Sequence, residues 1–270
     1  MDQKLLKALE TEGKPKPLAS TKRYYKGFLY GEYGVGKTKL CGDLVQKKGL
    51  CIATDTGPET FFNHPELLDK IDIVEYQGLS HITAIASAIA EGATVGETDY
   101  SEYDLVWVDT VSQVQEEYLD FLNDNFTYTG NYREKAMPRD PRSGLTVQEV
   151  IGQPDYHLTR NHMRHPIKSL IKAPVDVIFT AHLREPSPIE QGKGKITKRP
   201  TLTETVFKLI AREATWMGLM EREGTKRTIQ FETTKKSVAK SRIAELDNKV
   251  INADALPNIL HEWKRKNSGE

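Results

Sequence analysis

The sequence predicts an α/β fold: a mainly parallel, twisted sheet with helices on both faces and an antiparallel hairpin at one edge. Three observations carry that prediction. From residue 25 to residue 180, short apolar runs rich in β-branched and aromatic residues alternate with segments of helical spacing. Buried parallel strands joined by right-handed crossover helices produce this alternation. A glycine-rich turn, GEYGVGKT at 31–38, separates the first apolar run from the first helical one. Beyond residue 180 the alternation stops, and two strand-like runs, 214–221 and 226–232, flank Gly224-Thr225, as in a hairpin.

Taken in chain order, residues 1–22 are polar, carry Lys-Pro-Lys-Pro at 14–17, and read as an arm. Strands are expected at 25–30 (YKGFLY), 50–54 (LCIAT), 71–76 (IDIVEY), 104–109 (DLVWVD) and 175–180 (VDVIFT). Helices are expected at 37–47, 80–91, 110–124 and 155–173, with Pro166 interrupting the last. Two segments, 126–154 and 183–203, are rich in Gly, Pro and basic residues and read as long, mobile loops. A short helix follows 203, and another lies at 253–264. One domain over 23–264 with a tail at 265–270 accounts for the pattern, and no internal repeat is visible.

Bulk properties narrow the function classes. No apolar run approaches the roughly 20 residues that cross a bilayer, and MDQKLLKALETEG lacks the apolar core of a signal peptide. A cytoplasmic protein without membrane partners is expected. Cys41 and Cys51 form no CxxC and read as buried thiols. Net charge is zero but unevenly spread: residues 50–126 carry 16 acidic side chains against one Lys, and residues 191–243 carry 13 basic against 5 acidic. Such asymmetry suits head-to-tail assembly or a polyanion, and equally suits solvated faces of a balanced surface.

Gly31, Gly34, Gly36, Lys37 and Thr38 complete G-x-x-x-x-G-K-[ST], after a strand and opening a helix. The loop's other members are Glu32, Tyr33 and Val35, and Lys39 follows it. Glycines let successive N–H groups turn inward with no side chain in the way, and the helix N-terminus adds positive potential. Lys37 is then placed to bridge β- and γ-phosphates and Thr38 to ligate Mg²⁺. This pattern predicts a nucleoside triphosphate, ATP with Mg²⁺. Asp109, ending the strand in YDLVWVDT, is the expected carboxylate partner of the metal, although a strand-end Asp also caps helices. Thr110 stands where many helicase-like ATPases have a catalytic Glu, so any base comes from elsewhere. His157, His162 and His165 invite a zinc reading but lack partners at finger spacing.

The order GEYGVGKT, TDTGPE, LVWVDT, VIFTAH and a late VAKSR resembles the RecA-like P-loop ATPases, most closely the small Sak-type phage ATPases of single-strand annealing and recombination. The likeness spans about residues 24–260. It implies a RecA-like core that binds single-stranded DNA, associates with itself as a filament or ring, and works beside a single-strand-binding or annealing protein. The family's water-polarising Glu lies two positions after its Asp, where this chain has Gly57. Glu59 is the nearest candidate, with Asp55 as the alternative. His182 falls at the family's γ-phosphate sensor, which can bias an order–disorder switch; a surface His after a strand fits the same position. The family's DNA loops correspond to 183–200, with Lys193, Lys195, Lys198 and Arg199, and to 126–154, with Arg133 and Lys135 among tyrosines. Basic and aromatic residues together suit single strands, and they also occur in plain solvated loops. Lys240 and Arg242 match cations that related proteins project into a neighbour's nucleotide site. A nucleotide-gated loader or clamp is the alternative function, and a small-molecule kinase a more remote one.

Overall fold

Six parallel strands form the body of the sheet, their apolar runs buried except at the edge strand. These are β1 (Lys26–Gly31), β2 (Gly49–Ala53), β3 (Ile71–Glu75), β6 (Leu105–Asp109), β9 (Asp176–His182) and β10 (Trp216–Glu223). The computed structural model describes residues 23–125, 127–129, 132–134, 153–184, 198–234 and 237–267. Two small hairpins lie off the sheet, β4 (Thr94–Val95) with β5 (Thr98–Asp99) and β7 (Thr127–Thr129) with β8 (Tyr132–Glu134). The edge beyond β10 is antiparallel: β11 (Lys226–Gln230) turns back on β10, β13 (Val250–Asn252) pairs with β11, and β12 (Lys240–Ser241) pairs with β10. The order is β13-β11-β10-β1-β9-β6-β2-β3, so β9 separates β1 from β6.

Helices cover both faces. On one face α3 (Leu79–Glu91), α4 (Val111–Asn125), α5 (Gln153–Lys172) and α6 (Glu204–Glu213) bury Ile82, Val114, Met163 and Ile210 against Phe28, Val106 and Phe179. On the other face α1 (Lys37–Asp43) and α7 (Leu256–Asn267) bury Leu40, Leu256 and Leu260 with Trp107 and Trp216. A 3₁₀ segment (Gly57–Asn63) and the short α2 (Pro65–Leu68) complete that layer. Cys41 and Cys51 are free and buried in it.

Several expectations shift. The α5 helix runs through Pro166, because Met163, Ile167 and Leu170 on its buried face lock it to the sheet, and such packing outweighs local propensity. The first helix ends at Asp43, not 47, and the 3₁₀ turn at 57–63 takes part of what read as loop. Short strands β7 and β8 occupy part of the segment read as irregular. The last helix continues to Asn267. The arm at 1–22 lies outside the described residues. Among the described residues, no helix is long and apolar enough to cross a membrane.

Candidate nucleotide site

The C-terminal ends of β1, β2, β6 and β9 meet at one cavity of about 280 Å³, lined among others by Gly34, Lys37, Thr38, Asp55, Asp109 and His182. The loop after β1 owes its shape to its glycines. Gly34 (φ 71°) and Gly36 (φ 100°) adopt left-handed backbone that a Cβ would strain. Gly31 has a different reason to be glycine: a Cβ there would lie 2.3 Å from the Met220 carbonyl oxygen of β10. Lys37 is buried, and its Nζ donates to the carbonyls of Gly31 (3.0 Å) and Glu32 (2.8 Å). Burial lowers the Lys37 pKa, an effect opposed by the Asp109, Cys41 and Asp55 side chains. Lys39, on the rim, pairs with Asp43 at 2.6 Å.

Asp109 is buried at the end of β6, where two hydroxyls hold it. Thr38 Oγ1 donates to Oδ2 at 2.6 Å, and Thr180 Oγ1, from the neighbouring β9, donates to Oδ1 at 2.6 Å. Burial raises the Asp109 pKa, an effect opposed by the hydrogen bonds from Thr180 and Thr38. Thr54, at the end of β2, accepts from the Thr110 amide (2.8 Å) and donates to the Asp109 carbonyl (2.9 Å). Asp55 accepts from the Gly57 amide at 2.7 Å. A Cβ at Gly57 would stand 2.8 Å from Asp55 Oδ1 and 3.3 Å from Thr38 Oγ1, so glycine lets the chain pass close to the Thr38–Asp109 pair.

These donors fit ATP with Mg²⁺. Mg²⁺ takes one or two carboxylates, completes its shell with water and phosphate oxygens, and needs no all-protein cage. Thr38 and Asp109 would hold it, and among the described residues no cluster of three His, Cys, Asp or Glu forms a rival metal site. The sequence profile of the family described as an AAA domain matches residues 23–243. The chain belongs to this AAA domain family. No curated protein matches it. The AAA domain here is therefore an ATP-binding and ATP-hydrolysing P-loop unit.

Other residues of the AAA domain divide between this cavity and the rest of the surface. His182 lines the cavity, its ring stacked on Tyr33 with centroids 3.8 Å apart. Burial, with the Lys37 charge nearby, pushes its pKa down to about 4, so the ring is neutral at physiological pH, and among the described residues its Nδ1 has no hydrogen-bond partner. The His182 amide donates to Ser112 Oγ at 3.0 Å. Val35 is buried beneath the loop. Glu59 is exposed on the 3₁₀ turn and absent from the cavity wall, whereas Asp55 is on it. Lys240 and Arg242 are not at this cavity: their side chains donate to the Arg212 carbonyl, at 3.4 and 2.7 Å, beside the start of β10. Lys198 is ion-paired with Glu221, and Arg199 is exposed. Arg133 lies on β8, while Lys135, Lys193 and Lys195 lie outside the described residues.

Sequence reading missed several residues at the site. Thr54, just past the end of β2, and Thr180, within β9, carry no motif, and neither do Thr60 and His64 of the cavity wall. Arg227, from β11, also lines the cavity, and its guanidinium would stand 3.0 Å from a Cβ on Gly36. Only the pairing of β11 with β10, and of β10 with β1, brings it to the phosphate loop.

Proposed function

We propose that this AAA domain is a Mg²⁺-dependent, RecA-like ATPase of phage-type DNA recombination or replication that works as an oligomer on single-stranded DNA. The observation that carries the reading is the hydroxyl–carboxylate chain Thr38–Asp109–Thr180 at the phosphate loop. It links the loop's metal ligand to a strand end on β9, from which the chain continues into the basic segment after His182. Nucleotide state at Asp109 and His182 can thereby reach a segment suited to DNA.

The test is ATP hydrolysis with Mg²⁺, with and without single-stranded DNA, using Lys37→Ala as the blank. Strong stimulation by DNA, absent in the blank, is the expected result. Turnover indifferent to DNA would shift the reading to a nucleotide-gated module that loads or clamps a protein partner. One observation favours that second reading: Glu59 stands off the cavity wall, which suits slow hydrolysis and a long-lived triphosphate state.

A further inference from the structure

The sequence patterns above assign any nucleic-acid contact to loops, yet an unassigned row of cations lies on the helical layer. On α5, Arg160, Arg164, Lys168 and Lys172 recur every fourth residue. The first three line a cleft of about 340 Å³ whose other wall is α6, with Lys208, Arg212 and Glu213. Its floor is small and apolar, Val206 and Leu209. On other helices Lys39 is paired with Asp43 and Lys266 with Glu245. In the cleft Lys208 pairs with Glu204 at 2.7 Å, but among the described residues no ion pair engages Arg160, Arg164, Lys168 or Arg212.

Like charges four apart oppose helix formation, so this row is kept at a cost to α5. Its other face is already committed to the core through Met163, Ile167 and Leu170. Lys240 and Arg242 add charge at the end of the cleft, where both bond the Arg212 carbonyl. From Arg160 to Lys168 the row spans about 12 Å at the helical rise of 1.5 Å per residue. One small anion would leave most of that charge uncompensated, whereas a chain of phosphates matches it along its length.

We infer that the α5–α6 cleft binds the phosphate backbone of a nucleic acid, without reading its bases. Among the described residues no aromatic side chain lines it, so it offers charge and no stacking platform. This inference rests on the nucleic-acid reading of the function, and adds a site distinct from the loops and the nucleotide cavity.

Fluorescence anisotropy of a labelled oligo-dT, measured at several salt concentrations, tests it with the full chain. The variant Arg160→Gln/Arg164→Gln/Lys168→Gln is compared with the parent and with Lys47→Gln/Lys70→Gln, which alters charge elsewhere. Removing three phosphate contacts should flatten the slope of log affinity against log salt by about 2, and weaken binding about 100-fold at 0.1 M salt. Turnover of ATP without DNA and thermal melting should match the parent. Arg160→Lys/Arg164→Lys, which keeps the charge, should bind as the parent does. If the parent binds oligo-dT and the triple variant binds it equally with the same slope, the cleft is not the site, while the nucleic-acid reading stands. If the parent turns over ATP but binds no oligo-dT, that reading falls and takes this inference with it. Capture of an acidic polypeptide by the cleft in place of oligo-dT would also overturn it.

Discussion

Thr180 would act on metal binding through Asp109, and not as a ligand itself. Its hydroxyl donates to Asp109 Oδ1 at 2.6 Å and lies 3.1 Å from the Val108 carbonyl, while Thr38 takes Oδ2. The carboxylate plane is thus set from both sides. Thr180→Val keeps the shape and β-branching of the residue and removes that restraint. Outer partners of this kind are worth roughly 10–100-fold in metal affinity. The Mg²⁺ concentration for half-maximal turnover should rise by that factor, with nucleotide binding measured without metal little changed. An unaltered Mg²⁺ dependence would reduce Thr180 to a packing residue. Sequence legibility follows the same division at this scale. Lys37, Thr38 and Asp109 could be read because a contiguous loop or a strand end carries each of them. Thr180 and Arg227 could not, since their roles come from strand neighbours remote in sequence.

Among the elements, β1 and β10 set the mouth of the site through how closely they run. Met220 of β10 is in register with Gly31, and its carbonyl occupies the space a Cβ would need, 2.3 Å from it. Backbone cannot retreat as a side-chain tip can. Gly31→Ala should therefore destabilise the fold by about 1–3 kcal/mol, in the range of overpacked interiors. A lower urea midpoint with an unchanged m-value would report it, and a midpoint equal to the parent's would mean that β10 yields. Gly34 differs, because nothing lies within 4 Å of a Cβ there and only its φ of 71° demands glycine. The motif makes both positions look alike, although one is glycine for its backbone turn and the other for strand approach. The strand–helix alternation was legible because the apolar runs of β1, β2, β6, β9 and β10 are buried in the sheet. Pro166 misled because a local breaker says nothing of the core that holds α5 in place. The strands β12 and β13 were not legible, being two and three residues long with little pattern of their own.

Across the whole molecule, the late cations lie at the end of the sheet away from the phosphate loop. Lys240 is in register with Met217 on β10, and Gly31 with Met220. That offset amounts to about 10 Å along the strand at 3.3 Å per residue, and the phosphate loop lies beyond it. Lys240 and Arg242 are, moreover, bonded to the Arg212 carbonyl. Neither serves the nucleotide of its own chain in this arrangement. The RecA-like resemblance implies that such cations reach a neighbour's site, so their contribution would exist only in an assembly. Arg242→Ala should then leave nucleotide binding intact and slow turnover, by about 10³-fold or more if it acts as cations supplied across an interface do. Mixing gives the sharper measurement. Lys37→Ala protein has no working phosphate loop but keeps Arg242, and Arg242→Ala protein has the reverse. Mixed assemblies juxtapose an intact loop with an intact Arg242 from the next chain, and their turnover should exceed the sum of the two proteins assayed alone. A rate equal to that sum, under conditions where sedimentation shows that both variants assemble, would confine Lys240 and Arg242 to fastening the end of α6.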